Sequence, residues 1–168
     1  VLINGGSGGV GNYAVQIAAA LGAEVTGVCS TRNVEFVKSL GAQKVIDYSK
    51  QDFSQQTAAY DFILDTVVGK MTYAQCKNAL KANGLYLAVS GGLPEMLQSI
   101  WNKQILVGTP SENKAMMEAL LELVEAGKIK AVIDRCYPLE ELAEAHTYVE
   151  TGRKRGNVII SLQKEGGH

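Results

Sequence analysis

No apolar run in this sequence approaches the roughly 20 residues that a bilayer-spanning helix needs, so nothing calls for a membrane partner. An excess of one charge is missing too. Sixteen Lys and Arg stand against 17 Asp and Glu, a net charge of −1, which argues against a nucleic-acid ligand. The only cysteines are Cys29, Cys76 and Cys136, odd in number and far apart, giving neither a disulfide framework nor a zinc-knuckle spacing. A reducing compartment, the cytoplasm, is therefore expected, with no metal site. Histidine is almost absent. One of the two, His146, lies in a helical stretch, where a structural role is the expectation. No secretory leader is visible, and the first residue already lies in a strand-like run, which suggests that an N-terminal part has been removed.

What is present is ordinary for a globular chain. Hydrophobic residues make up 46% and charged residues 20% of the 168, enough for one sizeable core. Short apolar runs alternate with amphipathic stretches. Strands are predicted at Val1–Asn4, Glu24–Cys29, Lys44–Asp47, Asp61–Asp65, Leu85–Ser90 and Ile105–Gly108. The first helix carries Val10, Ala14, Ile17, Ala18 and Leu21 at helical spacing and stops at Gly22. A longer helix is predicted from Glu112 to Ala126, ended by Gly127. This β-α-β-α order with near-continuous apolar strands specifies an α/β fold, a Rossmann-type doubly wound parallel sheet covered on both faces. Beyond it the pattern changes to a strand at Ala131–Cys136, a helix at Leu139–Glu150 and a strand at Val158–Leu162, a C-terminal β-α-β tail outside the first sheet. The expected division is residues 1–128 and 129–168, with Gly166, Gly167 and His168 as a frayed end.

The stretch Val1–Gly11, VLINGGSGGVG, allows two glycine patterns. One is Gly6-x-Gly8-x-x-Gly11, a dinucleotide fingerprint; the other is a Gly5-x-x-x-Gly9-x-Gly11 spacing that suits a different reductase family. A strand before it and a helix after it provide the context that a pyrophosphate loop requires. Gly6, Ser7, Gly8, Gly9, Val10 and Gly11 are the candidate contacts. The end of the second strand then selects the dinucleotide. NAD binders usually place an acidic residue there, about 20 residues beyond the loop. Here the chain reads Ser30, Thr31, Arg32. Two hydroxyls and a permanently charged guanidinium suit a 2′-phosphate, with no nearby carboxylate expected to repel it. NADP(H) is therefore the expected cofactor. The alternative makes Ser30 or Thr31 a helix cap and Arg32 a solvated charge.

The glycine stretch and its continuation to VIDY, together with YDFILDTVVG and GKIKAVIDRCYPLEELAEAHTYVETGRKRGNVIISL, resemble the medium-chain dehydrogenase/reductase superfamily, most closely its zinc-free quinone oxidoreductase branch. The resemblance implies that Ser7–Val10 lie under the pyrophosphate, that Ser30 and Arg32 hold the 2′-phosphate with Tyr48 beside it, that Val67, Ser90 and Gly91 line the path toward the nicotinamide, and that Asn157 touches the cofactor. Arg155 could be one of several solvated charges. The implied activity is hydride transfer from NADPH to a small electron acceptor, a quinone or an activated alkene such as an enone. No catalytic acid or base is assigned.

The same resemblance implies a preceding GroES-like domain, missing here, to which the tail would return. This chain alone is then expected to bind NADPH without enzymatic turnover. A homodimer joined along the edge strand Gln104–Gly108 is also expected.

Two alternatives remain. Tyr73 and Lys77 form the Tyr-x-x-x-Lys pair of short-chain reductases, although it follows the fourth strand rather than the fifth. A non-catalytic NADPH-sensing or structural protein on the same fold is the other.

Overall fold

The structure is a computed structural model that describes residues 1–67, 69–89, 92–107 and 113–162. Six parallel strands form the main sheet: β1 (Leu2–Asn4), β2 (Thr26–Cys29), β3 (Lys44–Asp47), β4 (Tyr60–Asp65), β5 (Leu80–Ala88) and β6 (Ile105–Val107). Their order is β3-β2-β1-β4-β5-β6, the doubly wound arrangement that places a crevice where the order reverses between β1 and β4. The helices are α1 (Gly11–Ala20), α2 (Val34–Ser39), α3 (Tyr73–Cys76), α4 (Leu93–Trp101) and α5 (Lys114–Glu125).

Alternation along the strands fills both faces. Leu2 and Val28 join Ile63, Tyr86 and Ile105 in one buried cluster, while their neighbours Ile3 and Cys29 join Val15, Val25 and Val37 in another. In α1, Ala14 and Ala18 of the helically spaced set pack against the second cluster. Val10 and Leu21 are 52% and 74% exposed, whereas Asn12, Val15 and Gln16 are buried, because the two amides have backbone partners described below. Strand β5 starts at Leu80 rather than Leu85, since the register jumps from Tyr60↔Leu80 to Phe62↔Leu85 and the intervening Lys81–Gly84 bulges.

The tail forms its own parallel pair, β7 (Ile133–Pro138) with β8 (Asn157–Ser161), joined through α6 (Leu142–Glu150). β6 lies at the edge of the main sheet. The α4 residues Leu97, Ile100 and Trp101 are exposed, and α5 has no buried residue.

Candidate functional site

The carboxyl ends of β1 and β2 and the start of α1 converge on the loop Gly5–Val10. Gly5 turns the chain at φ 83°, and a Cβ there would lie 2.5 Å from Thr66 Oγ1. At Gly11 a Cβ would lie 2.1 Å from the Gly5 carbonyl oxygen. Glycine is required at those two positions, so that α1 can sit directly on the loop. The first and last glycines thus carry the geometric constraint, and Gly5 is a position that the candidate contacts omit. Asn12 fixes the loop by donating from Nδ2 to the carbonyls of Gly8 (2.9 Å) and Gly9 (2.8 Å). The loop stands at the N-terminus of a ten-residue helix, where backbone N–H groups and the helix dipole favour an anion.

The second-strand loop is joined to the glycine loop by Asn33, which is buried. Its Nδ2 donates to the hydroxyl oxygens of Ser7 (3.0 Å) and Ser30 (3.3 Å). Its Oδ1 accepts from Arg155 Nε at 2.8 Å, and Arg155 donates a second hydrogen bond to the Arg32 carbonyl at 3.0 Å. Arg32 in turn donates to the Arg153 carbonyl at 2.9 Å. Arg155, although exposed, is therefore a second guanidinium tied to the Ser30–Asn33 turn rather than a charge without protein partners. Lys154 follows the same pattern. Its ammonium donates to the Gly156 carbonyl at 2.7 Å and lies 3.0 Å from where a Gly9 Cβ would be. The Gly156 N–H donates to the Ser7 carbonyl at 3.0 Å. Asn157 Nδ2 reaches the Tyr13 hydroxyl at 3.2 Å, and its Oδ1 also borders Gly9. The tail segment 153–157 thus closes over the glycine loop and brings Lys154 and Arg155 to it.

The expectation that no carboxylate stands near this turn is wrong. Asp47, at the end of β3, accepts a hydrogen bond from the Thr31 hydroxyl at 2.6 Å and others from the Ser49 hydroxyl (2.6 Å) and N–H (3.0 Å). The Ser49 and Thr31 hydroxyls hold its pKa down to about 2, so it is ionised at neutral pH. The spacing rule looks at the end of the second strand, and this acid belongs to the third. Tyr48 beside it is 64% exposed.

At the other end of the crevice Val67 donates its N–H to Asp65 Oδ1 at 3.0 Å. Asp65 is buried and also accepts from Asn4 Nδ2 (2.9 Å) and the Tyr86 hydroxyl (3.1 Å). Burial pushes the Tyr86 phenol far above its ordinary range. Ser90 and Gly91 lie outside the described residues. Tyr73 gives its hydroxyl proton to Gln104 Oε1 at 2.9 Å and packs edge-on against Tyr86, while Lys77 is exposed; that arrangement does not favour the Tyr-x-x-x-Lys reading. His146 is exposed beside a small apolar groove formed with Leu142, Val149 and Ile160. Among the described residues no three His, Cys, Asp or Glu side chains converge on a point that could hold a metal.

Comparison with known proteins shows the family. The family described as zinc-binding dehydrogenase matches residues 40–160. The mitochondrial NAD(P)H oxidoreductase RTN4IP1 of Mus musculus is 34% identical over 96% of this chain and 47% of its own length. The 2-methylene-furan-3-one reductase of Solanum lycopersicum is 32% identical over 95% of this chain and 39% of its own. The solved quinone oxidoreductase of Coxiella burnetii superposes with a TM-score of 0.83 at 30% identity, covering 96% of this chain and 52% of that one. The chain spans about half the length of the relatives it matches. It belongs to the zinc-binding dehydrogenase family, in the quinone-oxidoreductase-like branch of the medium-chain dehydrogenase/reductase superfamily.

Proposed function

We propose that this chain is the NADP(H)-binding part of an oxidoreductase acting on a quinone or an enone. The observation that carries the reading is the meeting of three separate segments, the glycine loop, the Ser30–Asn33 turn and the tail stretch 153–157, which sets Lys154 beside Gly9 and holds Arg32 and Arg155 at the turn. Relatives named as an NAD(P)H oxidoreductase, a quinone oxidoreductase and a furanone reductase support a nicotinamide cofactor and this acceptor class. The donor set fits the cofactor. Loop Ser7–Gly11 and the α1 N-terminus would take the pyrophosphate, with Lys154 as counter-charge. Ser30, Arg32, Arg155 and Tyr48 would take the 2′-phosphate. Val67, oriented by Asp65, would face the nicotinamide end together with Ser90 and Gly91, and Asn157 would border the pyrophosphate.

When bound, the nicotinamide would supply the hydride, and this chain's residues would bind and orient it. Residues 1–128 then serve as the cofactor domain and 129–168 as the segment returning to the rest of a longer protein. We further propose that two copies pair along β6, where Leu106 and Trp101 are exposed; light scattering showing only monomer at high concentration would count against this. The cysteines Cys29, Cys76 and Cys136 are free, which suits a reducing compartment, and we propose the cytoplasm; imaging of tagged full-length protein tests this against the mitochondrion.

The function is tested by calorimetric titration of full-length protein with NADPH and NADH, followed by steady-state NADPH oxidation with quinones and enones. Absence of binding to either dinucleotide overturns the reading. Tight binding without turnover on any acceptor leaves the binding role and removes the enzymatic one.

A further inference from the structure

Resting on the reading of Ser30–Asn33 as the turn that would meet a 2′-phosphate, we infer that Asp47 is a specificity-determining residue, whose fixed negative charge behind Thr31 weakens the preference for the 2′-phosphorylated dinucleotide. The charge cannot swing away. Asp47 is the last residue of β3 and pairs in register with Cys29, the last residue of β2, immediately before Ser30. The next residue, Tyr48, donates its N–H to the Cys29 carbonyl at 3.1 Å, so the carboxylate is clamped to the strand end from which the turn departs.

The carboxylate also consumes donors. A hydroxyl has one proton, and Thr31 directs its own to Asp47 at 2.6 Å. Ser49, 3.1 Å from Thr31, gives Asp47 both its hydroxyl and its N–H. Of the hydroxyls of Ser30, Thr31 and Ser49, two therefore face the acid rather than an incoming phosphate. Compensation is partial. Lys50 Nζ stands 3.6 Å from Asp47 on a side chain that is 68% exposed, and the guanidinium hydrogen bonds of Arg32 and Arg155 go to carbonyls and to Asn33. A phosphate dianion on this turn meets a net repulsion from Asp47 that a free 2′-hydroxyl does not. NAD binders place their acid at the end of the second strand; here an acid one strand over reaches the same turn through Thr31.

The test compares full-length wild-type protein with Asp47→Asn, which keeps size and most hydrogen bonds while removing the charge, in calorimetric titrations with NADPH and NADH. The variant should bind NADPH about five- to tenfold more tightly and NADH within about twofold of wild type. The gain should shrink in ~1 M salt, where the Debye length falls to ~3 Å. An unchanged NADPH-to-NADH ratio, or weaker NADPH binding, overturns the inference while leaving the site reading intact. Wild-type protein that binds neither dinucleotide overturns both. Should the variant fail to fold, the wild-type ratio decides. A preference for NADPH above about a hundredfold overturns the inference, because an only partly compensated acid on the turn is incompatible with it; a smaller preference supports it.

Discussion

The main sheet and the tail are held by different forces. Leu2, Ile3, Val25, Val28, Ile63 and Tyr86 are at most 1% exposed, so the sheet rests on apolar area, which is large but indifferent to direction. In the tail, α6 buries only Ala145, and Ile133, Leu139 and Ile159 stay exposed. Ile129 adds one buried side chain at the junction. What orients the tail is a short series of directed hydrogen bonds: Gln16 exchanges two with the Lys130 backbone at 2.8 and 3.1 Å, Gly156 donates to Ser7, and Arg155 donates to Asn33 and Arg32. Apolar burial builds the platform, and directional bonds seat the tail against the glycine loop and the Ser30–Asn33 turn.

The sharpest way to break this contrast is Gly11→Ala. The new Cβ would press on the Gly5 carbonyl oxygen and on Gly6 Cα, all backbone atoms, so α1 would have to leave the sheet. We expect a loss of more than ~3 kcal/mol in urea unfolding, together with loss of dinucleotide binding. A variant with wild-type stability would show that α1 does not need its close seat on the loop.

Gln16→Ala acts mainly on the tail, its other contacts being longer ones to Asn12 within α1. It strips the Lys130 N–H and carbonyl of their side-chain partner, at a cost of ~1–3 kcal/mol. Hydrogen exchange should quicken in residues 129–157 before it changes in β1 or β4. Equal acceleration in both regions would mean that tail and sheet open as one unit.

These contacts also mark the limit of sequence reading. The strands, the α/β order, the edge position of β6 and the separate tail were legible because they follow from alternation and from glycine and proline punctuation. Asn12 and Gln16 were hidden inside a helix whose visible stripe ran through Val10, Ala14 and Leu21. Arg155 meets Asn33 across 122 positions and Gln16 meets Lys130 across 114, and no local pattern records such pairs. Asp47 was missed for a related reason, since parallel pairing of β2 with β3 brings to the Thr31 turn an acid that lies 16 residues away in sequence. GRKRGN did show a run of cations; what it lacked was any sign of which ones turn inward.

Arg155→Ala sharpens the comparison at the cofactor turn. The side chain is exposed, but its loss leaves Oδ1 of the buried Asn33 without that donor, so stability should fall by about 1 kcal/mol. A charge-assisted contact to phosphate contributes ~1.5 kcal/mol or more, so NADPH should bind about tenfold more weakly and NADH much less so. Equal losses for the two dinucleotides would assign Arg155 to holding Asn33 rather than to the 2′-phosphate.

The smallest expected effect is the acid limb of stability set by Asp47. Its folded pKa is depressed to about 2, first by the Ser49 and Thr31 hydroxyls, against ~3.9 for an unperturbed Asp. A depressed folded pKa means that the native state favours the ionised form. The contribution is therefore complete above about pH 5 and is lost as pH falls through about 4 toward about 2. Glu24, Asp52 and Asp61 are also held below their ordinary range, so the raw acid limb belongs to several groups, and only the difference from Asp47→Asn isolates this one. Urea midpoints of both proteins at pH 7, 5, 4, 3 and 2 should run parallel from 7 to 5. Below that, wild type should lose stability faster than the variant. Parallel curves down to pH 2 would mean that the Thr31 and Ser49 hydrogen bonds do not favour the carboxylate, and the bond tying the third strand's acid to the second strand's turn would have to be withdrawn.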